Sequence, residues 1–552
     1  MNDIINNDMK KITVNTEVLI VGGSVAGLKA ASGIADCGYK VCLIESNSKV
    51  DIQKEPELLT GLSGQELTSL QDLEKKVLLN SQIEILTSTN LVGVNGVPGD
   101  FSLKLENKDG IIEKKAGAIV IATGFAIKPL NDKYQLSLSD NIITQSQLEE
   151  ILSGGNQSAR EKLAGKTVAF LLGFGNYGYP FVMERLVRSI LAIEQIEGCT
   201  SYVYAGDLKV ASDSLERIYK ETRDNGATYF KLPEMPEISQ DGKKVTFFDP
   251  VLRQNLELSP DLLVIEEEIC AGQSNDELAG LLRIDLEATG FMQKDNVHRF
   301  PVSSNREGIF VIGESREVQN LPLEITDAAN AVLGVKNLLG DGTRMAPKET
   351  GVVDTGKCVF CITCYRCCPH GAIYWNEDNK AVISPLACQA CGICASECPM
   401  DAIQIGGFED TDIKEEIKQS IEPEAKVPQI VAFCCRNSAF EAGLMAKTFD
   451  MPIPDGLKMI KVPCAGKIDL DYILTAFVEG ADGVLVLTCH NGNCKSEHGN
   501  IFAEWRVDDA HRMLEESGFG KERLQFATMA SNTGSRFSAI VCDMEKTINN
   551  LA

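Results

Sequence analysis

The sequence predicts an α/β protein of several domains with one small α+β unit in the middle. Its 552 residues suit three or four domains, since a single domain usually has about 100 to 200 residues. Strand, glycine turn and helix follow one another at 17–45 and again at 166–197. Strands and helices alternate once more over 430–552, and eight cysteines in two copies of one spacing lie between these regions. These observations predict two dinucleotide-binding units, a cysteine-rich module and a C-terminal α/β unit.

The first strand–turn–helix segment has the pattern of a dinucleotide-binding unit. Gly22 suits the tight turn and Gly27 the packing of helix on strand, although Ser24 replaces the middle glycine of G-x-G-x-x-G. In such units the helix N-terminus faces a pyrophosphate, and a carboxylate such as Glu45 at the end of the second strand binds ribose hydroxyls. The predicted cofactor-binding residues here are Gly22, Gly23, Ser24, Ala26, Gly27 and Glu45.

Two distant segments strengthen this prediction and indicate FAD. They lie at 116–130 and 306–315, and each contains the end of an apolar strand. In two-dinucleotide flavoproteins the corresponding segments flank the flavin. The acidic residue after the final glycine binds the ribityl chain there, usually as Asp, whereas this chain has Glu314. The predicted contacts are Ala122, Thr123, Gly124, Gly313 and Glu314. A Rossmann-like domain without a cofactor is the alternative.

The second glycine motif predicts an inserted NAD(P)-binding-like domain. Gly173, Gly175 and Gly178 form a complete G-x-G-x-x-G. The acidic candidate Asp207 lies well beyond the usual distance of about 20 residues, and no arginine pair follows to bind a 2′-phosphate. We therefore expect a retained fold with a lost or altered site, and NAD(P)H binding remains the alternative.

The eight central cysteines form two copies of the run C-x2-C-x2-C-x3-C-P, which is the pattern of a ferredoxin with two 4Fe-4S clusters. Each run gives three thiolates to one cluster and its fourth to the other. The predicted ligand sets are Cys358, Cys361, Cys364 and Cys398, and then Cys368, Cys388, Cys391 and Cys394. Structural zinc is the alternative. The extra thiol, Cys367, is predicted to be a packed bystander.

In the C-terminal unit three predicted strands each end in a cysteine, and one more cysteine follows. Because α/β folds place their ligands at the carboxyl edge of the sheet, these thiols should gather there. Four thiolates suit a 2Fe-2S cluster, with zinc as the alternative. The predicted ligands are Cys435, Cys464, Cys489 and Cys494. Cys434 competes with Cys435, since alternation along a strand lets only one of the two point inward.

The composition indicates which kinds of partner and which cellular compartment suit this protein. A formal charge of −25 argues against a nucleic-acid partner, which needs clustered Lys and Arg. No apolar run approaches the roughly 18 residues of a membrane span, and the N-terminus does not have the pattern of a signal peptide. Nineteen cysteines in a chain without an export signal indicate metal or redox use rather than disulfides. We expect a cytoplasmic protein that reaches a membrane only through its partners.

Particular stretches carry a resemblance to known families. Residues 17–345 resemble the flavin domain of the heterodisulfide reductase A subunit, notably in IATGF at 121–125 and NIITQSQLEEIL at 141–152. Residues 430–552 resemble the delta subunit of methyl-viologen-reducing hydrogenase, notably in ADGVLVLTCHNGNC. The order of the three units is similar to the B subunit of the quinone-interacting membrane-bound oxidoreductase.

The resemblance implies a thioredoxin-reductase-like flavoprotein fold, a two-cluster ferredoxin and a delta-subunit-like domain. The expected domains are 1–165 and 266–345 (FAD-binding), 166–265 (insert), 346–407 (ferredoxin), 408–429 (charged linker) and 430–552 (delta-like). The implied function is electron transfer within an anaerobic multi-subunit oxidoreductase, with a hydrogenase, formate dehydrogenase, ferredoxin or adenylylsulfate reductase as partner. The chain has no residue set for other catalysis. Alternatives are a self-contained NAD(P)H oxidoreductase, a scaffold with a vestigial flavin and an electron-bifurcating subunit.

Two departures from these families affect the expected cofactors. Heterodisulfide reductase A subunits carry flavin-region cysteines for a further 4Fe-4S cluster, near a lysine that approaches the flavin. The matching helix here, YPFVMERLVRSILA, has no cysteine, and Arg188 is the counterpart of that lysine, so we expect this cluster to be absent. In the delta family the first motif is F-x-C-x-x-C, whereas Ser438 replaces its second thiol here.

Overall fold

The structure is a computed structural model of the 552-residue chain. It describes residues 9–50, 62, 64–153, 161–175, 179–212, 214–292, 296–348, 350–422 and 426–551. Gly178 of the second glycine motif lies outside these ranges. In the described part of the chain, no helix is both long and apolar enough to span a bilayer.

The first dinucleotide-binding unit is built on a five-stranded parallel sheet. Its strands, in spatial order, are Ile309–Val311, Ala118–Ile121, Glu17–Val21, Lys40–Glu45 and Ile83–Thr87. One face is covered by the helices Val25–Asp36, Gly64–Leu79 and Leu321–Leu339. The other face is covered by the antiparallel strands Asn90–Val97, Asp100–Asn107 and Gly110–Ala116 and by the helix Asn275–Leu282. Burial on both faces explains why the central strands are continuous apolar runs.

The insert has a second five-stranded parallel sheet. Its strand order is Ile142–Thr144, Leu262–Ile265, Thr167–Leu172, Thr200–Ala205 and Thr228–Lys231. Its helices are Gln145–Ser153, Pro180–Glu194 and Leu215–Asp224, and a small antiparallel sheet is formed by Glu237–Ile238, Val245–Asp249 and Gln254–Leu258. The antiparallel strands Ala126–Pro129 and Glu267–Cys270 connect the insert to the first unit. The sheet of the insert thus begins before residue 166.

The remaining strands of the flavoprotein region join its two ends. Strand Met9–Thr13 pairs with Thr343–Pro347, which directly precedes the cysteine-rich module. That module contains two antiparallel pairs, Gly351–Val353 with Ile403–Ile405 and Ile373–Trp375 with Ala381–Ile383. Two short helices, Thr363–Cys367 and Ile393–Ser396, follow a left-handed residue in each repeat, Ile362 (φ +58°) and Gly392 (φ +85°). The repeated cysteine motif therefore corresponds to a repeated structure.

The segment expected to be a charged linker contains the helix Asp410–Ser420. Ile413 and Ile417 are one helical turn apart and are both buried, so they form an apolar stripe on an otherwise charged helix. They belong to the same hydrophobic core as the helix Leu470–Val478 of the C-terminal unit. The linker prediction did not include this packing.

The C-terminal unit is a four-stranded parallel sheet with helices on both faces, as predicted. The strand order is Leu457–Val462, Ile430–Cys435, Gly483–Thr488 and Leu524–Thr528. The helices are Ala439–Thr448, Leu470–Val478, Gly499–Glu516 and Gly534–Leu551. This unit also has short 3-10 turns at Ala465–Lys467 and Lys521–Arg523, and the flavoprotein region has one at Gly313–Ser315. The carboxyl ends of the parallel strands meet at one edge, where the predicted ligands follow them.

Candidate redox site

The glycine turn of the first unit makes a close approach of two chain segments. Gly22 has φ +107°, and a Cβ on it would lie 2.3 Å from the carbonyl oxygen of Ala122. A Cβ on Gly27 would lie 2.3 Å from the carbonyl oxygen of Gly22. Ser24 caps the helix Val25–Asp36: its hydroxyl accepts from Gly27 N and donates to the Ala122 carbonyl oxygen at 2.9 Å. Glycine is required at both positions, and the serine hydroxyl ties the turn to the neighbouring strand.

The two predicted carboxylates lie on either side of this turn region. Glu45 accepts a hydrogen bond from Gly23 N at 2.7 Å, which places it beside the helix N-terminus. Glu314 is buried, and its Oε2 accepts from Phe125 N at 3.4 Å. A Cβ on Gly124 would lie 3.2 Å from the same oxygen. The predicted residues are therefore brought together at one edge of the sheet.

Two further predicted residues complete this edge. Gly313 has φ +59°, and a Cβ on it would lie 2.7 Å from Ala26 Cβ. The Thr123 hydroxyl lies 3.0 Å from that of Ser315, whose own hydroxyl donates to the Thr123 carbonyl oxygen. Small residues thus leave the backbone open at a helix N-terminus, between two carboxylates. This donor set fits the pyrophosphate and hydroxyl groups of FAD.

The first predicted ferredoxin ligand set lines one apolar cavity. Cys358, Cys361, Cys364 and Cys398 all border it. Burial, with smaller contributions from the nearby thiols of the set, raises the pKa of the Cys364 thiol to about 11. Cys361 is exposed, whereas Cys398 Sγ accepts a hydrogen bond from Ala402 N at 3.3 Å. The crossed arrangement expected of this motif therefore brings Cys398 of the second run beside the first run.

The second predicted set lies deeper in the protein. Burial raises the pKa of Cys394 well above its ordinary value, and the neighbouring Cys391, Cys368 and Cys388 raise it further. Cys368 Sγ accepts from a main-chain N–H four residues later, as Cys398 Sγ does in the other repeat. Cys367, the extra thiol, instead lies 3.5 Å from the carbonyl oxygen of Cys364.

The four C-terminal cysteines gather at the carboxyl edge of their sheet. Cys435 Sγ lies 3.7 Å from Cys489 Sγ, and Cys464 Sγ lies 4.0 Å from Cys494 Sγ. Cys434 lies on the opposite face of the strand, in a different hydrophobic core. The structure thus selects Cys435 over Cys434 as the thiol facing this group.

Electrostatics make this group unusual. Hydrogen bonds within the group hold the pKa of Cys435 and Cys494 below the ordinary thiol value, and the same bonds raise the pKa of Cys464 and Cys489. All four thiols are buried. Four buried thiolates would repel one another, so complete deprotonation requires a bound cation. Within the described ranges, no group of three or more His, Cys, Asp or Glu side chains has the geometry to hold a metal ion as it stands.

A long helix begins at these thiols. A Cβ on Gly499, the first residue of helix Gly499–Glu516, would lie 2.3 Å from Cys464 Sγ. Ser438, which replaces a family cysteine, is buried nearby. The His490 Nδ1 pairs with Thr528 at 2.9 Å rather than with a thiol. Only a residue without a side chain allows the helix N-terminus to come this close.

One cysteine of the second ferredoxin set lies in the hydrophobic core that holds the C-terminal thiols. Cys391 belongs to the same buried cluster as the four C-terminal cysteines. The contact is fixed by hydrogen bonds: Ser396 Oγ donates to the carbonyl oxygen of Lys467 at 2.8 Å, and Arg506 binds Glu397 at 2.5 Å. The two predicted cluster sites are therefore neighbours.

The flavoprotein region contacts both cysteine-containing units through the segment 283–306. The Arg283 guanidinium lies 4.0 Å from the centre of the Tyr365 ring. Asn296 Nδ2 donates to the carbonyl oxygen of Cys494 at 3.0 Å. Sequence reasoning missed this segment, because nothing in its composition indicates which surface it covers.

The acidic candidate of the insert lies near the glycine turn. Asp207 is two residues beyond the end of the strand Thr200–Ala205, and a Cβ on Gly173 would lie 2.6 Å from Asp207 N. The helix Pro180–Glu194 lies between the turn and this strand in the chain. On that helix Arg188 binds Glu184 at 2.8 Å.

Known proteins match each unit. Residues 11–152 match the pyridine nucleotide-disulphide oxidoreductase family, and residues 381–404 match the 4Fe-4S binding domain. Residues 430–552 match the delta subunit of methyl-viologen-reducing hydrogenase. An iron-sulfur subunit of the F420-non-reducing hydrogenase from Methanocaldococcus jannaschii is 36% identical over 124 residues, which cover 92% of that protein. The C-terminal unit belongs to the hydrogenase delta-subunit family.

The rest of the chain matches a larger relative. The A subunit of ferredoxin:CoB-CoM heterodisulfide reductase from Methanosarcina mazei is 25% identical over 81% of this chain. The corresponding protein from Methanosarcina acetivorans is 22% identical over 94% of this chain and 80% of its own length. The chain spans only 58% of the length of the M. mazei protein. The protein is thus a homologue of the heterodisulfide reductase A subunit that carries a delta-subunit domain.

Solved structures are also similar to the flavoprotein region. Thioredoxin reductase from T. acidophilum aligns with a TM-score of 0.40 and 13% identity, covering 58% of this chain and 98% of that protein. The predicted fold, two dinucleotide-binding units followed by a 4Fe-4S module and a delta-subunit domain, is confirmed by the architecture described above and by the family matches.

Proposed function

We propose that this protein is a flavin and iron–sulfur electron-transfer subunit of a heterodisulfide-reductase-like complex. The observation that carries the proposal is the closeness of two cysteine sets: Cys391 of the second ferredoxin set lies in the same buried core as the four C-terminal thiols. FAD would be held between Gly22–Ser24, Glu45 and Glu314. When bound, it exchanges electron pairs, whereas each iron–sulfur cluster carries one electron.

The thiol positions support three clusters. The set of Cys358, Cys361, Cys364 and Cys398 and the set of Cys368, Cys388, Cys391 and Cys394 would each hold a 4Fe-4S cluster. Cys435, Cys464, Cys489 and Cys494 would hold a 2Fe-2S cluster. Main-chain N–H groups already donate to the sulfurs of Cys368 and Cys398, an interaction that tunes the potential of such clusters. The protein would supply burial, thiolates and amide dipoles to these clusters.

The surface near the first ferredoxin set supports a protein partner. Cys361 is exposed, and large apolar side chains around it are exposed as well. They are Val359, Phe360, Trp375 and Met400. Exposed apolar groups that cluster in this way are typical of protein docking surfaces. The proposed partners are other subunits of a heterodisulfide-reductase-like or quinone-interacting complex, including a hydrogenase, formate dehydrogenase, ferredoxin or adenylylsulfate reductase.

The test is anaerobic rapid mixing, followed at the flavin absorption band. We expect dithionite to reduce the protein, and we expect NADH or NADPH alone to leave the flavin oxidised over seconds. The control is a variant with Cys391→Ser, which removes a proposed cluster ligand without touching the flavin region. Complete reduction by stoichiometric NADH within seconds would instead show a self-contained NAD(P)H oxidoreductase.

A further inference from the structure

A carboxylate fills the glycine turn of the insert domain. Glu266 directly follows the strand Leu262–Ile265 and is only 7% exposed. Its Oε2 accepts a hydrogen bond from Gly173 N at 2.7 Å. Its Oε1 accepts from Phe174 N at 3.2 Å and from Gly175 N at 3.1 Å. Three consecutive main-chain N–H groups therefore point at one internal anion.

The Glu266 carboxylate occupies the place where a dinucleotide-binding domain holds its nucleotide. There the N–H groups after the first strand, together with the helix N-terminus, bind the pyrophosphate. A run of main-chain N–H groups is an anion-binding concavity whatever the anion is. Glu266 satisfies these donors with charge-assisted hydrogen bonds, and a phosphate oxygen cannot occupy the same space.

Neighbouring side chains close the turn over Glu266. The Tyr134 hydroxyl hydrogen-bonds to its carboxylate. Burial, and then the Glu266 charge, raise the pKa of Tyr134, so the phenol stays protonated and keeps donating. Leu130 Cδ1 lies 2.5 Å from where a Cβ on Gly175 would be. The carboxylate is thus held from several sides.

We propose that Glu266 is a built-in substitute for the pyrophosphate of a nicotinamide dinucleotide. It completes the fold of the insert without a nucleotide and excludes NAD(P)H from the turn. This role concerns the insert alone, so it stands or falls independently of the cluster assignments.

Removing the carboxylate should therefore create an anion site. Glu266→Ala leaves three N–H donors without their acceptor, a condition that costs free energy and that an added anion relieves. We expect the full-length variant to bind inorganic pyrophosphate and ADP-ribose at least about tenfold more tightly than the wild type, as measured by titration calorimetry. The matched control is Glu257→Ala, an exposed carboxylate of the same domain, which should behave as the wild type.

A second variant and a second measurement cover the case in which Glu266→Ala does not fold. Glu266→Gln keeps the size of the side chain and removes its charge, and we expect it to bind pyrophosphate more tightly than the wild type. In the wild type, hydrogen exchange at residues 173–175 should be unchanged by pyrophosphate or NADH. Slower exchange there in the wild type would overturn the proposal, as would folded variants that bind pyrophosphate no better than the wild type.

Discussion

Two adjacent residues with the same side chain have opposite surroundings in the C-terminal unit. Cys435 faces the thiol group, 3.7 Å from Cys489, while Cys434 packs in the core on the other face of the sheet. We expect Cys435→Ser to lose about two irons per chain, the content of one 2Fe-2S cluster, and Cys434→Ser to keep them. Iron analysis and visible spectra of anaerobically purified protein distinguish the two. Iron loss in the Cys434 variant alone would reverse the assignment.

The glycine turn of the first unit allows an equally local test. In Gly22→Val the new side chain would meet the Ala122 carbonyl oxygen, and the residue would have to adopt φ +107°, which a β-branched residue avoids. We expect flavin content to fall to about a tenth or less of the wild-type value, measured after release of the cofactor. Gly280→Ala is the control, since a Cβ there meets nothing within 4 Å. Equal flavin content in both variants would remove the turn from the FAD site.

At this scale, the prediction from sequence was most specific where residue spacing alone implies the chemistry. The repeated cysteine run implied crossed ligand sets, and the structure places Cys398 beside the first run, around one cavity. The sequence could not reveal that Glu266 binds the Gly173 turn, because the three glutamates after the strand Leu262–Ile265 are equivalent in the sequence. Only the register of that strand against its neighbour decides which one reaches the Gly173 turn.

At the scale of secondary structure, the helix Asp410–Ser420 anchors the C-terminal unit to the chain before it. Ile417 is fully buried in the core of that unit. Truncating a buried isoleucine to alanine costs about 2 to 5 kcal/mol. We therefore expect Ile417→Ala to speed hydrogen exchange along this helix in the full-length protein.

The control for this prediction lies on the same helix. Glu415 is exposed, and surface substitutions usually change stability by about 0.5 kcal/mol or less. Glu415→Ala should therefore leave the exchange of the helix unchanged. If both variants exchange as the wild type does, the helix is not held by its apolar stripe.

Helices and strands with a strong hydrophobic periodicity were predictable from the sequence. The helix Asp410–Ser420 was not. Its two buried isoleucines are too few to stand out in a charge-rich stretch, and their partners, among them the helix Leu470–Val478, are distant in the chain. The helix is stabilised by tertiary packing, as most helices are, rather than by its own propensity.

At the scale of the whole molecule, the order of the units follows from the sequence but their contacts do not. Arg299 pairs with Glu497 at 3.0 Å, and Asn305 donates to the Pro369 carbonyl oxygen at 2.9 Å. These contacts join the flavoprotein region to both cysteine-containing units. Each depends on polar residues whose roles are fixed only by the assembled fold.

Electron uptake tests the central claim, which is that one chain carries a flavin and three clusters. Anaerobic titration with dithionite counts the electrons that the full-length protein accepts. We predict about five per chain, two for FAD and one for each of three clusters. An uptake of about two, with zinc in place of iron, would contradict the account and leave a flavoprotein without a chain of clusters.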